Sequence, residues 1–412
     1  MQQPLANQVD HLFRNEYGRV VAIMTNRYGI SYVEQIEDVV QDSFLKAMQV
    51  WGYQEVPQNP TAWLFRVANN AMIDKLRKGK KMDYVGDVPH VEKEDQTKEV
   101  ATQSELSDSQ LKLIFACCHP SLSKEYQIIL SLKLIGGFSN KELAEALLKK
   151  EGAVAKSFTR AKKKFKAEVQ MLKIPVEMGL QSRLFVVLRV IYLLFTEGYA
   201  ATSGAQMLKK DICYEALRLA LLLRENTYCQ HANLEALIAL MCFHAARFDA
   251  RLDDDNELVT LAHQDRALYN QELVRIGVYH LENSNTGNST PSNYHFEAAI
   301  SYYHCTAKTY DETDWENILR FYDLHLQRYY SPIVALNRMV PFAKVNGPKK
   351  ALVALEELER SDNFETNGLF YAIKAELMVD VGDQKAYRST LQKAIALTKN
   401  TLVKRHLERK MI

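Results

Sequence analysis

The sequence predicts an all-α protein. Glycine and proline, the residues that most often interrupt helices, number only 16 and 10 among 412 residues, about half of their usual share. Apolar residues recur every three to four positions through most of the chain, as they do in amphipathic helices. After Pro175 the one low-complexity interruption is the polar segment Asn283–Asn293, which we expect to form an exposed loop.

Length and composition are those of a globular protein with two or three domains. The chain is 47% hydrophobic and 25% charged, and no apolar run approaches the roughly 18 residues that a membrane-spanning helix needs. The polar start, Met1–His11, lacks the apolar segment of a secretory signal. Six cysteines at irregular spacing do not suggest a disulfide scaffold. We therefore expect a cytoplasmic protein without membrane contacts.

The net charge of the chain is +2, but the charged residues are distributed unevenly along it. Residues 1–173 carry 25 Lys and Arg against 21 Asp and Glu, a net of +4, and the remaining residues carry 27 against 29, a net of −2. Five cations fall within residues 75–81 and six within residues 156–166, whereas residues 83–108 between them hold eight acids and two lysines. Such clusters fit solvated helix faces, and they equally fit two separate phosphate-binding surfaces.

Three helices are predicted before the acidic stretch. They cover residues 7–28, 36–51 and 62–77, and Thr61 is a candidate cap for the third. The third helix also carries Trp63 and Phe65, which we expect to lie in the core rather than to stack on bases.

Residues 139–166 have the pattern of a helix-turn-helix. Ser139 is followed three positions later by Glu142, the spacing of a capping box, and the second helix of the pair has a cationic exposed face. Helices are predicted over 108–117, 123–134, 139–148 and 151–171, with Gly136 and Gly137 forming a turn.

The C-terminal half shows a weak internal repeat. Gly347–Ala351 and Gly382–Ala386 are 35 residues apart, and each lies between two apolar helices. A helix-turn-helix period near 34 residues is typical of tetratricopeptide-like (TPR-like) solenoids. We therefore expect a TPR-like helical extension.

Several segments resemble one family. Asp10–Lys81, with IEDVVQDSFLKAMQVW and NPTAWLFRVANNAMIDKLRKGKK, resembles region 2 of bacterial sigma factors of the extracytoplasmic-function group. Asp108–Lys166, with SLKLIGGFSNKELAEALLKKEGAVAKSFTRAKKKFK, resembles their region 4. One subgroup of these sigma factors has a long TPR-like extension, and this chain is similar to it in the segments FACCHPSL, YLLFTEGYAA, DARLDDDNELV, TDW and SPIVALNR. The resemblance implies region 2 over 1–81, a flexible acidic linker over 82–107, region 4 over 108–173 and the extension over 174–412.

The resemblance also implies a function without catalysis. Such a protein binds core RNA polymerase through the β′ and β subunits, and it recognises the −10 promoter element through region 2 and the −35 element through region 4. The extension is then expected to regulate the protein, with contacts to regions 2 and 4 as one route.

Site residues follow from the same resemblance. The residues expected to contact polymerase are Asp38, Gln41, Asp42 and Lys46. Those expected to hold the −10 element are Asn69 and Asn70, which capture an unstacked base, and Lys75, Arg77, Lys78, Lys80 and Lys81, which bind phosphates. At the −35 element we expect Lys156, Ser157 and Arg160 to reach base edges and Lys163 and Lys164 to bind phosphates.

Other functions remain alternatives at this point. The chain fits a helix-turn-helix regulator that works without polymerase and senses through its solenoid, and it also fits a TPR-type scaffold. An enzyme is disfavoured, because no set of nucleophile, base and oxyanion donors can be assembled.

Neither candidate metal site in the sequence has suitable ligand geometry. Neighbouring Cys117 and Cys118 point about 100° apart on a helix and are poor joint ligands for a metal ion. Asp253–Glu257 lacks the spacing of a calcium loop. We therefore expect no metal and no cofactor.

Overall fold

The computed structural model describes residues 3–51, 53, 56–82, 103–147, 149–174, 178–199, 210–253, 255, 257–286, 290–398 and 400–411. Within these residues there are 18 α-helices, a few short 3₁₀ turns and no regular strand. The prediction of an all-α fold is confirmed. No helix in the described ranges combines the length and apolar character needed to cross a membrane.

The helices follow one another along the chain. They are α1 (Gln3–Tyr28), α2 (Val33–Trp51), α3 (Pro60–Met82), α4 (Gln103–Cys117), α5 (Lys124–Leu134), α6 (Asn140–Ala146), α7 (Glu151–Glu168), α8 (Met178–Tyr199), α9 (Lys210–Glu225), α10 (Ala232–Ala246), α11 (Gln271–Ser284), α12 (Asn293–Thr306), α13 (Trp315–Arg328), α14 (Pro332–Asn346), α15 (Pro348–Ser361), α16 (Gly368–Asp380), α17 (Gln384–Leu397) and α18 (Thr401–Arg409).

The described residues form two compact units. The first unit contains those of Met1–Gly198 and Asp211–Cys229, and the second contains those of Tyr199–Lys210 and Gln230–Ile412. Helices α8 and most of α9 therefore belong to the same unit as the segments that resemble regions 2 and 4.

Helices α1 to α3 form a bundle around side chains that repeat at helical spacing. Val20, Met24, Ile36, Leu64 and Met72 are among its fully buried residues, and their burial removes apolar surface from water.

The start of α3 differs from the sequence-based expectation. Pro60, rather than Ala62, is its first residue, a position that suits proline because no intrahelical N–H bond is needed there. The side chain of Asn59 accepts a hydrogen bond from the Ala62 N–H at 3.0 Å. Thr61, predicted to be the cap, instead donates its hydroxyl to the buried carboxylate of Glu16.

Helices α4 to α7 form the second bundle of this unit. Gly137 makes the turn after α5 with φ of 65°, as the Gly136-Gly137 pair predicts. Helix α1 lies so close to the end of α5 that a Cβ on Gly18 would overlap the carbonyl of Ile135. Glycine at this position therefore permits the close contact between the two bundles.

The predicted linker, residues 82–107, lies mainly outside the described residues. Met82 ends α3, and residues 103–107 form the first turns of α4. Helix α4 therefore begins at Gln103 and not at residue 108.

The second unit is built around α10. Most residues of this helix are buried between α11 and α12, and Gly277 of α11 lies directly against the ring of Phe243. Part of the predicted loop 283–293 is helical, because α11 ends at Ser284 and α12 begins at Asn293. Residues 287–289 of that loop lie outside the described residues.

Two helical hairpins reproduce the 35-residue spacing. Gly347 joins α14 to α15 with φ of 89°, and Gly382 lies between α16 and α17 with φ of 84°. Both glycines occupy a backbone region that side chains disfavour. Leu336, Leu355, Phe370 and Leu391, one residue from each helix, share the core of these hairpins.

Candidate nucleic-acid interface

The second helix of the helix-turn-helix, α7, has one apolar and one cationic side. Val154, Phe158, Ala161 and Phe165 recur at intervals of three and four residues and are buried against α5 and α6. Lys156, Arg160, Lys163 and Lys164 are all exposed. Four of the five residues predicted to contact the −35 element thus lie on the solvent side of α7.

The start of α6, the helix before α7, is held by the predicted capping box. The Glu142 N–H donates to Ser139 Oγ at 3.1 Å, and the Ser139 N–H donates to Glu142 Oε2 at 2.9 Å. These two bonds satisfy donors that the start of α6 would otherwise leave unpaired. They fix the helix on which α7 packs.

Ser157, the fifth residue predicted to contact the −35 element, forms a hydrogen bond within the protein. It is half-buried, and its hydroxyl donates to Glu125 Oε1 at 3.1 Å. Lys149 binds the same carboxylate at 2.8 Å, and this lysine lowers the pKa of Glu125. Ser157 therefore differs from the four exposed cations of α7.

Lys162 and Lys166, two further cations of α7, face α2. Lys162 Nζ lies 2.7 Å from Glu37 Oε2, and Lys166 Nζ lies 2.5 Å from Glu34 Oε2. Burial raises the pKa of Glu37, against the effect of the neighbouring Lys162. Sequence reasoning missed both acids, because partners more than 120 positions apart leave no local spacing signal.

The outer face of α2 contains every residue predicted to bind polymerase. Asp38, Gln41, Asp42 and Lys46 are exposed. Two large apolar side chains that the prediction did not include are exposed beside them, with Leu45 58% and Met48 46% accessible.

Helix α3 carries the residues predicted to hold the −10 element, and Asn69 differs from the others. Its Oδ1 accepts the hydroxyl of Tyr28 at 2.7 Å, so this amide supports the bundle. The side chains of Lys80 and Lys81 lie outside the described residues. Exposed members of the set are Asn70, Lys75, Arg77 and Lys78.

One ion pair joins the two predicted sites of the first bundle. Lys75 Nζ lies 3.2 Å from Asp38 Oδ2, and both side chains are largely exposed. An exposed pair of this kind contributes little stability. The two side chains can therefore exchange this contact for other partners at low cost.

The aromatic residues of α3 are half-buried. The ring of Trp63 lies 5.1 Å from that of Trp51, and Arg27 lies 6.0 Å from the ring of Phe65. Both aromatic side chains therefore contact other residues of the bundle.

The cysteines are buried and free of disulfides in the described residues. Burial raises the pKa of Cys118 to about 12, and His119 contacts the Ser121 hydroxyl at 2.7 Å. No cluster of three His, Cys, Asp or Glu side chains in the described ranges has the geometry to hold a metal ion.

Three family models match successive parts of the chain. Sigma-70 region 2 matches residues 12–82, and sigma-70 region 4 matches residues 112–165. A family of unknown function, DUF6596, matches residues 183–285. The last match includes most of α8 and of α9 from the first unit together with α10 and α11 of the second.

Two relatives have similar sequences over different lengths. Uncharacterized protein R00370 of Rhizobium meliloti is 30% identical over 375 residues, which cover 88% of this chain and 86% of that protein. ECF RNA polymerase sigma factor SigL of Mycobacterium tuberculosis is 32% identical over 124 residues, which cover 29% of this chain and 66% of SigL. No solved structure matches the chain.

Proposed function

This chain belongs to the extracytoplasmic-function group of the sigma-70 family, and we propose that it directs core RNA polymerase to promoters. In this proposal the protein binds the β′ and β subunits, with α2 of region 2 docking on β′; region 2 opens the −10 element, and region 4 reads the −35 element. Because polymerase and promoter DNA are cytoplasmic in bacteria, the chain acts in the cytoplasm. It performs no catalysis of its own.

The observation that carries the proposal is the exposed cationic side of α7. A helix-turn-helix places its second helix in the major groove, and α7 is the second helix of such a pair. Lys156 lies in the first half of α7 and Arg160 at its middle, and both side chains are long enough to reach base edges. Lys163 and Lys164 lie one turn further along, where their charges meet phosphates.

Region 2 supplies the second set of contacts. The outer face of α2 combines Asp42 and Gln41 with the exposed apolar side chains of Leu45 and Met48. Apolar side chains surrounded by polar groups are typical of protein–protein contacts. On α3, Asn70 and the cations that follow it provide an amide for a base and positive charge for phosphates.

We further propose that the extension regulates the protein through intramolecular contacts. One guanidinium nitrogen of Arg218 in α9 donates to Gln110 Oε1 of α4 at 2.9 Å, and the same side chain binds Glu215 of α9. Helix α9 of the extension thereby contacts α4, the helix that begins region 4. A change in the extension has a direct route to the DNA-binding part.

Co-purification with core polymerase, followed by run-off transcription, tests the main proposal. The templates are sheared genomic DNA of the source organism, and the transcripts are mapped by sequencing. We expect a stable complex and new start sites. Asp42→Arg should abolish the complex, and Glu357→Arg, an equal charge reversal at an exposed position of α15, should leave it intact.

Failure to bind core polymerase would overturn the proposal. Binding to a palindromic duplex without polymerase would then favour a helix-turn-helix regulator with a solenoid sensor. An activity unaffected by Asp42→Arg combined with Lys156→Glu would favour a TPR-type scaffold.

Regulation is tested separately by a chain that ends after Cys229. This truncation keeps α8 and α9 and removes only α10 to α18. Transcription that equals the full chain's at every promoter and condition would exclude a regulatory role for the removed part.

A further inference from the structure

We propose that the second unit binds a small oxyanion, the carboxylate or phosphate group of a metabolite-sized molecule, in a basic cluster around Arg247. The basic cluster consists of Arg247 with His244, Arg251, Arg266 and His304, and all five residues lie in the second unit. The inference does not rest on the proposed function, because binding of a small molecule to this unit requires neither polymerase nor DNA.

Helices α10 and α12 meet at the centre of the basic cluster. The thiol of Cys305 in α12 donates to the carbonyl of Phe243 in α10 at 3.3 Å. His304 and His244, the chain neighbours of these two residues, therefore lie at the same junction. Burial, together with the charge of nearby Arg247, lowers the pKa of both histidines to about 3. Both rings are therefore uncharged at neutral pH, and each offers an N–H donor without adding charge.

Three distant segments of the chain contribute to the sides of the basic cluster. Tyr199 lies in YLLFTEGYAA, Arg251 in DARLDDDNELV and Trp315 in TDW. The ring of Tyr199 lies 4.5 Å from that of His244, and the guanidinium of Arg251 lies 3.7 Å from the centre of the Tyr199 ring. Trp315 lies 5.6 Å from the ring of His304. Tyr199, His304 and Trp315 are half-buried, so the basic cluster is partly open to solvent.

Arg247 has only uncharged side-chain partners among the described residues. Its Nε donates to Gln264 Oε1 at 3.2 Å, and the guanidinium also contacts the Tyr269 hydroxyl. Arg247 directly follows α10, whose end supplies about half a unit of negative charge. The residue is half-buried, so part of its charge has neither a carboxylate partner nor full hydration.

Two acids near Arg247 in the sequence pair with other cations. Asp249 Oδ1 lies 2.5 Å from Lys210 Nζ, and Glu257 Oε1 lies 2.8 Å from a guanidinium nitrogen of Arg405. A guanidinium binds carboxylate and phosphate groups through paired N–H bonds. An incoming oxyanion therefore supplies the missing counter-charge without breaking an internal ion pair.

Arg266 and His304 have different roles in the basic cluster. Arg266 donates to the carbonyls of His304 and Ala307 at 2.6 and 2.9 Å, so the end of α12 offsets much of its charge. In contrast, Nδ1 of His304 is buried and has no hydrogen-bond partner among the described residues. A buried polar atom without a partner is costly. A ligand oxygen that accepts an N–H from this ring removes that cost, while Arg247 supplies the charge.

Equilibrium dialysis of the full-length protein tests the inference. The probes are radiolabelled inorganic phosphate and, separately, radiolabelled succinate, both in chloride buffer at constant ionic strength and neutral pH. We expect one saturable site that depends on Arg247 for at least one probe. Binding of phosphate alone indicates a phosphate ester as the ligand class, binding of succinate alone indicates an organic acid, and binding of both indicates recognition of the oxyanion itself.

Matched variants assign the binding to the basic cluster. Arg247→Met removes the guanidinium and should weaken binding about 100-fold. Arg275→Met makes the same change at an exposed arginine of α11 and should leave binding unchanged. His304→Phe keeps a ring beside Trp315 but removes the N–H donor, and it should weaken binding about tenfold.

A second variant separates lost binding from lost folding. Arg247→Lys keeps a positive charge and an apolar stem, so we expect it to retain the helical circular dichroism of the unchanged chain. An ammonium group cannot form the paired N–H bonds of a guanidinium, and this variant should therefore bind about tenfold more weakly.

Two outcomes would overturn the inference. One is the absence of a saturable site for both probes in the unchanged chain. The other is equal binding by Arg275→Met and by Arg247→Met, or by Arg247→Lys if the methionine variant is not helical, because Arg247 then has a structural role only. Since dialysis uses the free protein, a chain that binds an oxyanion but never binds core polymerase would refute the proposed function and leave this site standing.

Discussion

Asn69 and Asn70 are neighbours on α3 with different environments. Asn69 is half-buried and accepts the Tyr28 hydroxyl, whereas Asn70 is exposed. The sequence assigns both amides to the −10 element, because a linear pattern cannot distinguish the two sides of α3 at adjacent positions. Only Asn70 has a side chain that an unstacked base can approach without breaking an internal bond.

Replacing each amide in turn separates structure from DNA contact. Asn69→Ala removes the acceptor of a part-buried hydroxyl and should lower the free energy of unfolding by about 1 kcal/mol. Asn70→Ala should leave stability unchanged and reduce opening of the −10 element. Urea denaturation followed by tryptophan fluorescence checks the first effect, since Trp51 and Trp63 lie in this bundle. Equal stability losses in the two variants would contradict the assignment.

Lys163 should contribute to DNA binding through charge alone. Lys163→Ala should lower the slope of the logarithm of the association constant against the logarithm of salt concentration by about 0.9. Fluorescence anisotropy with a 30-base-pair duplex of random sequence measures this slope. Lys173→Ala, at another exposed lysine, is the control, and an equal change there would argue for diffuse attraction.

At the scale of elements, α6 is the support on which α7 packs. It contains only seven residues, fewer than an isolated helix needs for stability. Its start depends on the reciprocal bonds between Ser139 and Glu142. The cap therefore contributes a large share of the local order of the helix-turn-helix.

Ser139→Ala should loosen α6 without disturbing the rest of the first unit. The lost cap costs about 1 kcal/mol, which should appear as faster hydrogen exchange in α6. Ser121→Ala, which removes a contact with His119 in the turn before α5, is the comparison. Unchanged exchange in α6 of Ser139→Ala would mean that packing against α7 alone orders it.

At the scale of the whole molecule, the family-model boundaries and the compact units differ. The DUF6596 match begins at residue 183, but α8 and most of α9 share a unit with the sigma regions. Arg218 links α9 to the almost fully buried Gln110 of α4. The extension therefore begins within the compact unit that contains regions 2 and 4.

Two truncations should behave differently for this reason. A chain that ends at Ile174 loses α8 and α9 and leaves Gln110 without Arg218, which should cost the first unit more than about 2 kcal/mol of stability. A chain that ends after Cys229 should keep that stability. Thermal unfolding followed by circular dichroism compares them, and equal melting of the two would show that α8 and α9 do not support regions 2 and 4.

Much of the architecture was predictable because it depends on local patterns. The 3.6-residue repeat locates the helices, the Ser139-to-Glu142 spacing identifies a cap, and the glycines at 347 and 382 mark equivalent turns. Each of these signals involves residues that are close in sequence or repeat at a fixed period. The start of α3 was misplaced because the local pattern suggested Thr61 as the cap, whereas the Thr61 hydroxyl meets Glu16, 45 positions away, and Asn59 accepts the Ala62 N–H.

The sequence by itself determined the helical fold, the two cationic clusters and the family of the protein. Only the tertiary structure decided which of the charges are free to meet DNA. Lys162 and Lys163 are adjacent and chemically identical, yet one pairs with Glu37 and the other faces solvent. That difference arises from the tertiary structure, because it requires side chains 125 positions apart to meet away from water.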